Sequence, residues 1–303
     1  MQKIGLFCVI VLAILGLCMG SPVTGEEPGD KLLEVFKKDI EPEESLVPAG
    51  VAIEEAFEPG KGAAIGTIEN IKGRVLAIHQ GEKTAYVLKK KYELFTYDTL
   101  ITAEKSNAQI KFNDGSFITL GTYTKLVLDK SIYDPSKTTR DSFVRLLFGK
   151  ARFIVTKLVN FRSSKYKVKT PTAVVGVRGS DFAVSVSYGS PLVTTLMTGK
   201  DTTVIFAGDI GPPQVIGPLQ GSSATEGGAA GTGMNLSKYP PEISGLSGPK
   251  DVYYWAGGIG AALLGGAILL NDDDGGGAGE FRVIRVNPAA GQSIPGLVDT
   301  DIV

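Results

Sequence analysis

The stretch Thr170-Pro171-Thr172-Ala173-Val174-Val175-Gly176-Val177-Arg178-Gly179-Ser180-Asp181-Phe182 decides how this chain is read. Before it, Lys165–Lys169 alternates charged and apolar residues with period two; after it, Phe182–Ser187 does the same, so both flanks predict β-strands. Pro171 has no N–H to donate and ends strand pairing. Gly176 and Gly179 predict a tight bend or a close approach of two backbones. Arg178 lies between them. The reading prefers a structural arginine, paired with a carboxylate such as Asp181 or Asp98 and fixing the bend. Left exposed within its basic surroundings, it would be a binding residue instead.

Working outward, short strand patterns run from Ala64 to Phe206 with no long stretch of helical period among them. Gly73, Gly81, Asn107 and Asp114-Gly115 punctuate them. Asp114-Gly115, set between Gln109–Phe112 and Phe117–Leu120, predicts a tight hairpin. Ser131–Asp141 is polar, contains Asp134-Pro135, and predicts a long surface loop. The expected fold class is all-β, a sandwich or a rolled, solenoid-like sheet.

Three further runs stand upstream in order: Tyr97-Asp98-Thr99-Leu100-Ile101-Thr102, Ala108-Gln109-Ile110-Lys111-Phe112-Asn113-Asp114-Gly115-Ser116, and Leu146-Leu147-Phe148-Gly149-Lys150-Ala151-Arg152-Phe153. Together with the opening stretch they resemble the FecR domain family, over residues 64–210. Asp98, Asp114, Gly115, Pro171, Gly176, Arg178, Gly179 and Phe182 carry the structural motif. Lys89-Lys90-Lys91 fills a place where the family usually has a glycine. The resemblance implies signal reception, as in periplasmic sensors that couple outer-membrane receptors to anti-sigma control. Such sensors have a cytoplasmic regulator and a span at the N-terminus, where this chain has a signal-like segment.

That segment is residues 1–20: Met1-Gln2-Lys3, the apolar run Ile4–Leu17, and small residues before Ser21. It reads as a cleavable export signal. Both cysteines, Cys8 and Cys18, lie inside it, which leaves the exported part with no disulfide and no thiolate. Residues 21–60 read as an acidic leader, with eleven Asp or Glu against three Lys over 26–60 and one short helix within Lys31–Ile40. Residues 61–210 form the β domain and 211–250 a Gly/Pro-rich linker. Residues 251–271 hold nineteen uncharged residues, Val252–Leu270, an apolar Gly-rich helix of membrane-spanning length. Gly257, Ala261 and Gly265 fall on one face of it and offer a surface for self-association. Residues 272–303 resemble the opening of a bacterial Ig-like module, cut short at Val303.

Net charge is −1 for the whole chain, yet residues 61–210 carry 23 Lys or Arg against 12 Asp or Glu. Between Asp141 and Asp181 lie nine basic residues and no acid. Arg145, Lys150, Arg152, Arg162, Lys165, Lys167, Lys169 and Arg178 are the candidate binding face. Such a patch suits an anionic partner: an envelope protein, an anionic glycan or a lipid headgroup. The acidic leader, folding back on the domain, is another candidate. Export and the scarcity of aromatics among the basic residues speak against nucleic acid.

His79 is the only histidine. No Cys–His pair, thiolate metal set or strained nucleophile turn can be assembled, and a lone histidine near a turn reads as a surface or satisfied residue. No cofactor or metal is expected, and no enzyme. The expected function is an exported, membrane-associated binding or sensing module of the cell envelope. The rival is a structural or adhesive surface protein with C-terminal Ig-like repeats.

Overall fold

The structure is a computed structural model that describes residues 28–37, 39, 41–187, 191–237, 246, 267–271 and 281–285. The expected export signal, the expected self-association face at Gly257, Ala261 and Gly265, and most of the C-terminal region lie outside these residues.

Two β-sheets pack face to face. The first runs, edge to edge, β1 (Ala52–Glu54), β4 (Thr84–Val87), β3 (Val75–Ile78), β6 (Thr99–Thr102), β9 (Lys125–Asp134), β10 (Thr139–Val155), β11 (Ser163–Lys169), β12 (Ala173–Val177), β15 (Val204–Gly208) and β16 (Gln214–Ile216). The second runs β5 (Glu93–Leu94), β2 (Gly66–Lys72), β7 (Asn107–Phe112), β8 (Phe117–Leu120), β10 again, β13 (Ser180–Ser187), β14 (Val193–Thr198), β17 (Gln220–Thr225) and β18 (Met234–Asn235). The long strand β10 belongs to both. Its first half pairs with β9 and, in parallel, β11; its second half pairs with β8 and β13. Gly149 sits where it changes sheet. Its φ of +86° and the 2.4 Å left between an added Cβ and the Tyr123 carbonyl oxygen both require glycine.

The inward residues of both sheets make one core, including Val75, Leu100, Leu126, Val144, Val168, Val175 and Phe206 from the first and Ile68, Ile110, Ile118, Phe153, Phe182 and Leu196 from the second. Alternation along β11 and β12 is what the period-two pattern predicted: Tyr166, Val168, Ala173, Val175 and Val177 face in. The all-β reading holds. Chain segments pass back and forth between the sheets, which reconciles the sandwich and rolled-sheet descriptions.

Four expectations change. Ser131–Asp141 is not a long loop: β9 continues to Asp134, β10 begins at Thr139, and only a short turn intervenes. This ribbon is mostly polar, with Ile132 and Tyr133 adjacent and so on opposite faces, and it lacks the apolar alternation that marks a strand. Asp134 closes its turn by accepting hydrogen bonds from the Ser136 hydroxyl and the Lys137 N–H, which hold its carboxyl down at about 2.

The stretch read as a linker contains β16, β17 and β18. Its small residues serve packing rather than flexibility: a Cβ on Gly221 would lie 2.9 Å from Leu32 Cδ1. The acidic leader is also structured. Its helix α1 (Pro28–Lys37) lays Leu32, Leu33 and Phe36 against Ala183, Met197 and Leu236 on the outside of the second sheet. Further on, Leu46, Val47 and Val51 cover Leu76, Ile78, Ala85 and Ile101 on the outside of the first sheet.

The fourth change concerns the apolar segment. Ala267–Asn271, the end of the expected helix, is strand β19, paired antiparallel with β20 (Phe281–Arg285). A short apolar run followed by Gly275-Gly276-Gly277 serves a hairpin as well as a helix end. Among the described residues, no helix is long and apolar enough to cross a membrane.

Candidate functional site

The opening stretch is the passage of the chain from one sheet to the other. Thr170-Pro171-Thr172 turns β11 into β12, with the Thr170 N–H donating to the Ala173 carbonyl at 2.8 Å. Thr170 and Thr172 hydroxyls meet Thr194 Oγ1 at 2.7 and 2.6 Å, tying this turn to the second sheet. Gly176 is not in the bend; it lies within β12 opposite Ile205, where an added Cβ would make only an ordinary contact, 4.0 Å from Ile205 Cβ. Gly179 makes the close approach, since its Cβ would stand 2.6 Å from Lys157 Cβ.

Arg178 does not pair with either proposed carboxylate. It is exposed, Asp181 is engaged by Arg152, and Asp98 by His79. The residue that fixes the bend is Arg140, which is 0 % exposed and went unnoticed in the sequence. Its guanidinium donates to Asp114 Oδ2 (3.1 Å), the Thr156 carbonyl (2.8 Å), Ser164 Oγ (2.8 Å) and the Arg178 carbonyl (3.2 Å). Asp114 in turn accepts from the Ser116 N–H and hydroxyl, so the hairpin turn with Gly115 at φ +79° is joined to the β12–β13 bend. The Tyr166 ring lies 5.7 Å from the guanidinium, and burial pushes its phenol pKa upward. No local pattern marks Arg140, since its partners come from four separate segments.

The second buried pair is His79 and Asp98. His79 Nδ1 lies 2.7 Å from Asp98 Oδ1 and Nε2 lies 2.8 Å from the Glu58 carbonyl. Both ring nitrogens face acceptors, so the ring is held as a donor at both. The Asp98 hydrogen bond raises the His79 pKa, partly opposed by burial and aided by the Asp98 charge. Asp98 Oδ2 also accepts from the Phe95 N–H at 2.7 Å and so shapes the turn Phe95–Asp98. Tyr97 in this turn has φ +69°. Lys91 has φ +71°, the backbone form a glycine would take at the Lys89-Lys90-Lys91 departure.

The basic residues divide into two groups. Lys150 and Arg152, placed on the candidate binding face by sequence, are buried instead. Lys150 Nζ donates to the Phe36 carbonyl (3.0 Å) and Asp39 Oδ1 (2.5 Å), the point where the acidic leader folds back on the domain. Arg152 makes a two-armed pair with Asp181 at 2.9 and 2.6 Å. Period-two alternation does point both outward from the second sheet, but the leader and Leu246 cover them there.

Lys165, Lys167 and Lys169 form an exposed stripe on β11, with Arg162 and Arg178 also exposed. Arg145 is half exposed and paired with Asp129 at 2.7–3.0 Å. Strand register sets these residues in rows across the outer face of the first sheet. One row reads Ile78, Thr99, Val127, Arg145, Lys169, Val174, Ala207. The next reads Phe143, Lys167, Gly176, Ile205, Val215, ending on apolar residues 53 % and 69 % exposed.

A cleft opens at the far end of the first row. Its lining is Ile78, His79, Gln80, Gly81, Glu82, Tyr97, Thr99, Val127 and Arg145.

Residues 98–200 match the FecR protein family. The chain carries a FecR domain. The matched region begins at Asp98, includes Asp114 and Arg140, and contains both halves of β10 and the whole β11–β13 passage. The two sheets extend beyond the matched residues, to β2 on one side and β18 on the other. Two crystal structures of a proposed anti-sigma factor from Parabacteroides distasonis, at 2.50 and 1.65 Å, are similar to this chain at 16% identity, with TM-scores of 0.36 and 0.35. Each comparison covers 46% of this chain and 59% of that one, so the chain spans well under two thirds of those proteins. Among curated proteins, none matches the sequence.

Proposed function

We propose that this protein is an exported, non-catalytic FecR-type binding and sensing module of the bacterial cell envelope. The FecR match supports a signalling or sensing role in general. The observation that carries the finer reading is the bare stripe Lys165, Lys167, Lys169. The leader covers much of the outer surface of both sheets but not this part. The side chains of Lys165, Lys167, Lys169, Arg162 and Arg178 make no ion pair among the described residues. Alternate strand residues lie about 6.6 Å apart, so the stripe holds three positive charges at a regular repeat. That suits an anionic glycan or an acidic protein face, and its attraction falls with salt. His79 is spent on Asp98 and the Glu58 carbonyl and is not placed to act as a general base. The signal-like residues 1–20 favour export.

Two measurements test the proposal. Fractionation of cells making the full chain should recover it with the envelope; recovery in the cytosol would refute export. The double variant Lys165→Gln/Lys167→Gln should elute from an anionic matrix at clearly lower salt than the parent. Equal elution would remove the stripe as the binding surface.

A further inference from the structure

We propose that the cleft at Tyr97 is a saccharide site that takes a short acidic oligosaccharide. This rests on the reading of the domain as an envelope-binding module, and it names the ligand class and the place of contact. The floor is the register row Ile78, Thr99, Val127, Arg145, which continues to Lys169 on the next strand. Adjacent strands are about 4.8 Å apart, so Ile78 to Lys169 spans roughly 19 Å, room for more than one sugar ring. Tyr97 and the turn Gln80-Gly81-Glu82 complete the lining.

The polar groups set the chemistry. Glu82 supplies acceptors, Thr99 a hydroxyl, and Arg145 donors. Because Arg145 is already matched by Asp129, it acts as a hydrogen-bond donor rather than as an unpaired cation. With Glu82 in the lining, a phosphate seated in the cleft itself would meet repulsion there and only the already paired Arg145 as a cation, since Lys169 lies beyond the lining. Vicinal hydroxyls, which both donate and accept, fit this mixed lining, and the apolar face of a sugar ring fits beside an aromatic ring. The nearest uncompensated charge in the row is Lys169, which selects a carboxylate on the sugar.

An independent observation points to the same residue. Tyr97 is 47 % exposed yet has φ +69°, a conformation that costs a bulky side chain energy and that Gly or Asn adopts easily. The surroundings enforce it. Tyr97 N–H donates to the Leu128 carbonyl at 2.5 Å, Asp98 N–H to the Phe95 carbonyl at 3.2 Å, and the buried His79–Asp98 pair stands beneath. An aromatic left nearly half exposed and held in a strained turn beside a cleft is placed for contact.

The test is titration of the full chain with trigalacturonic acid and, separately, with maltotriose. The acidic trisaccharide should bind, and the neutral one at least about tenfold more weakly, one charge–hydrogen-bond contact being worth that factor. Tyr97→Asn should weaken acidic binding by about tenfold or more while leaving the melting temperature unchanged or higher, since asparagine tolerates this φ. Glu82→Gln, on a solvent-exposed turn, and Lys169→Gln should each weaken it too. Equal binding of both sugars, no binding of either, or full binding by Tyr97→Asn would overturn the site. The Lys165→Gln/Lys167→Gln variant separates this from the broader proposal. No saccharide binding, with salt-sensitive retention of the parent intact, sinks the cleft alone. Loss of that retention difference as well sinks the binding reading itself.

Discussion

Arg140 shows how much can hang on one side chain. Its fork serves four acceptors from the β7–β8 turn, the end of β10, β11 and the β12–β13 bend. Removing one partner of a buried pair leaves the other charge unmatched, so Arg140→Met should destabilise the protein by about 3–5 kcal/mol in a denaturant titration. Arg140→Lys should rescue little, because an ammonium cannot reproduce the fork. Arg178→Ala should leave stability unchanged, since only the backbone carbonyl of Arg178 is used. His79 gives a pH signature. Its folded-state pKa is raised, so its stabilisation is complete below the unfolded value of ~6.5 and is lost as pH rises through the folded value. The melting difference between the parent and Asp98→Asn should therefore be largest near pH 6 and shrink above it.

At the scale of elements, the leader is the informative case. Leu32, Leu33 and Phe36 were legible as one helical face, but nothing local said that β13, β14 and β17 would receive it. Phe36→Ala should cost about 3–5 kcal/mol, read by thermal melting, because the ring is fully buried. The hairpin at Asp114-Gly115 and the strands around Pro171 were readable because turn chemistry and period-two alternation are local signals. Strands β16–β18 were not. Gly, Ser and Ala residues show no apolar period, and their role appears only against Leu32 and Leu236. The candidate face was read in half: Lys165, Lys167 and Lys169 face solvent, whereas the fates of Lys150, Arg152 and Arg145 depended on Asp39, Asp181 and Asp129, which lie up to 111 positions away.

For the molecule as a whole, the domain limits follow from β14 and β17. A fragment of residues 61–215 would leave β14 without the partner that pairs Val193–Met197. It would also expose Ala183 and Met197, which α1 covers. That fragment should give a broad, low melting transition, whereas residues 28–237 should unfold in one sharp step by circular dichroism. A sharp transition for the shorter piece would show that the second sheet does not need its last two strands.

The position of β10 has one more consequence. In both sheets its neighbours on one side come from earlier in the chain and those on the other side from later. Within each sheet, space therefore broadly follows sequence, with local reversals only at β4–β3 and β5–β2, much as in repeat proteins in which each unit touches only the next. Disturbance in such an array spreads by neighbours and dies away with distance. The outermost strands should exchange their amide protons first and Ala151–Val155 last. The leader is the exception to that order: it rests on β17 and β18 at one end and on β3, β4 and β6 at the other, a strap that makes the two far ends answer to each other.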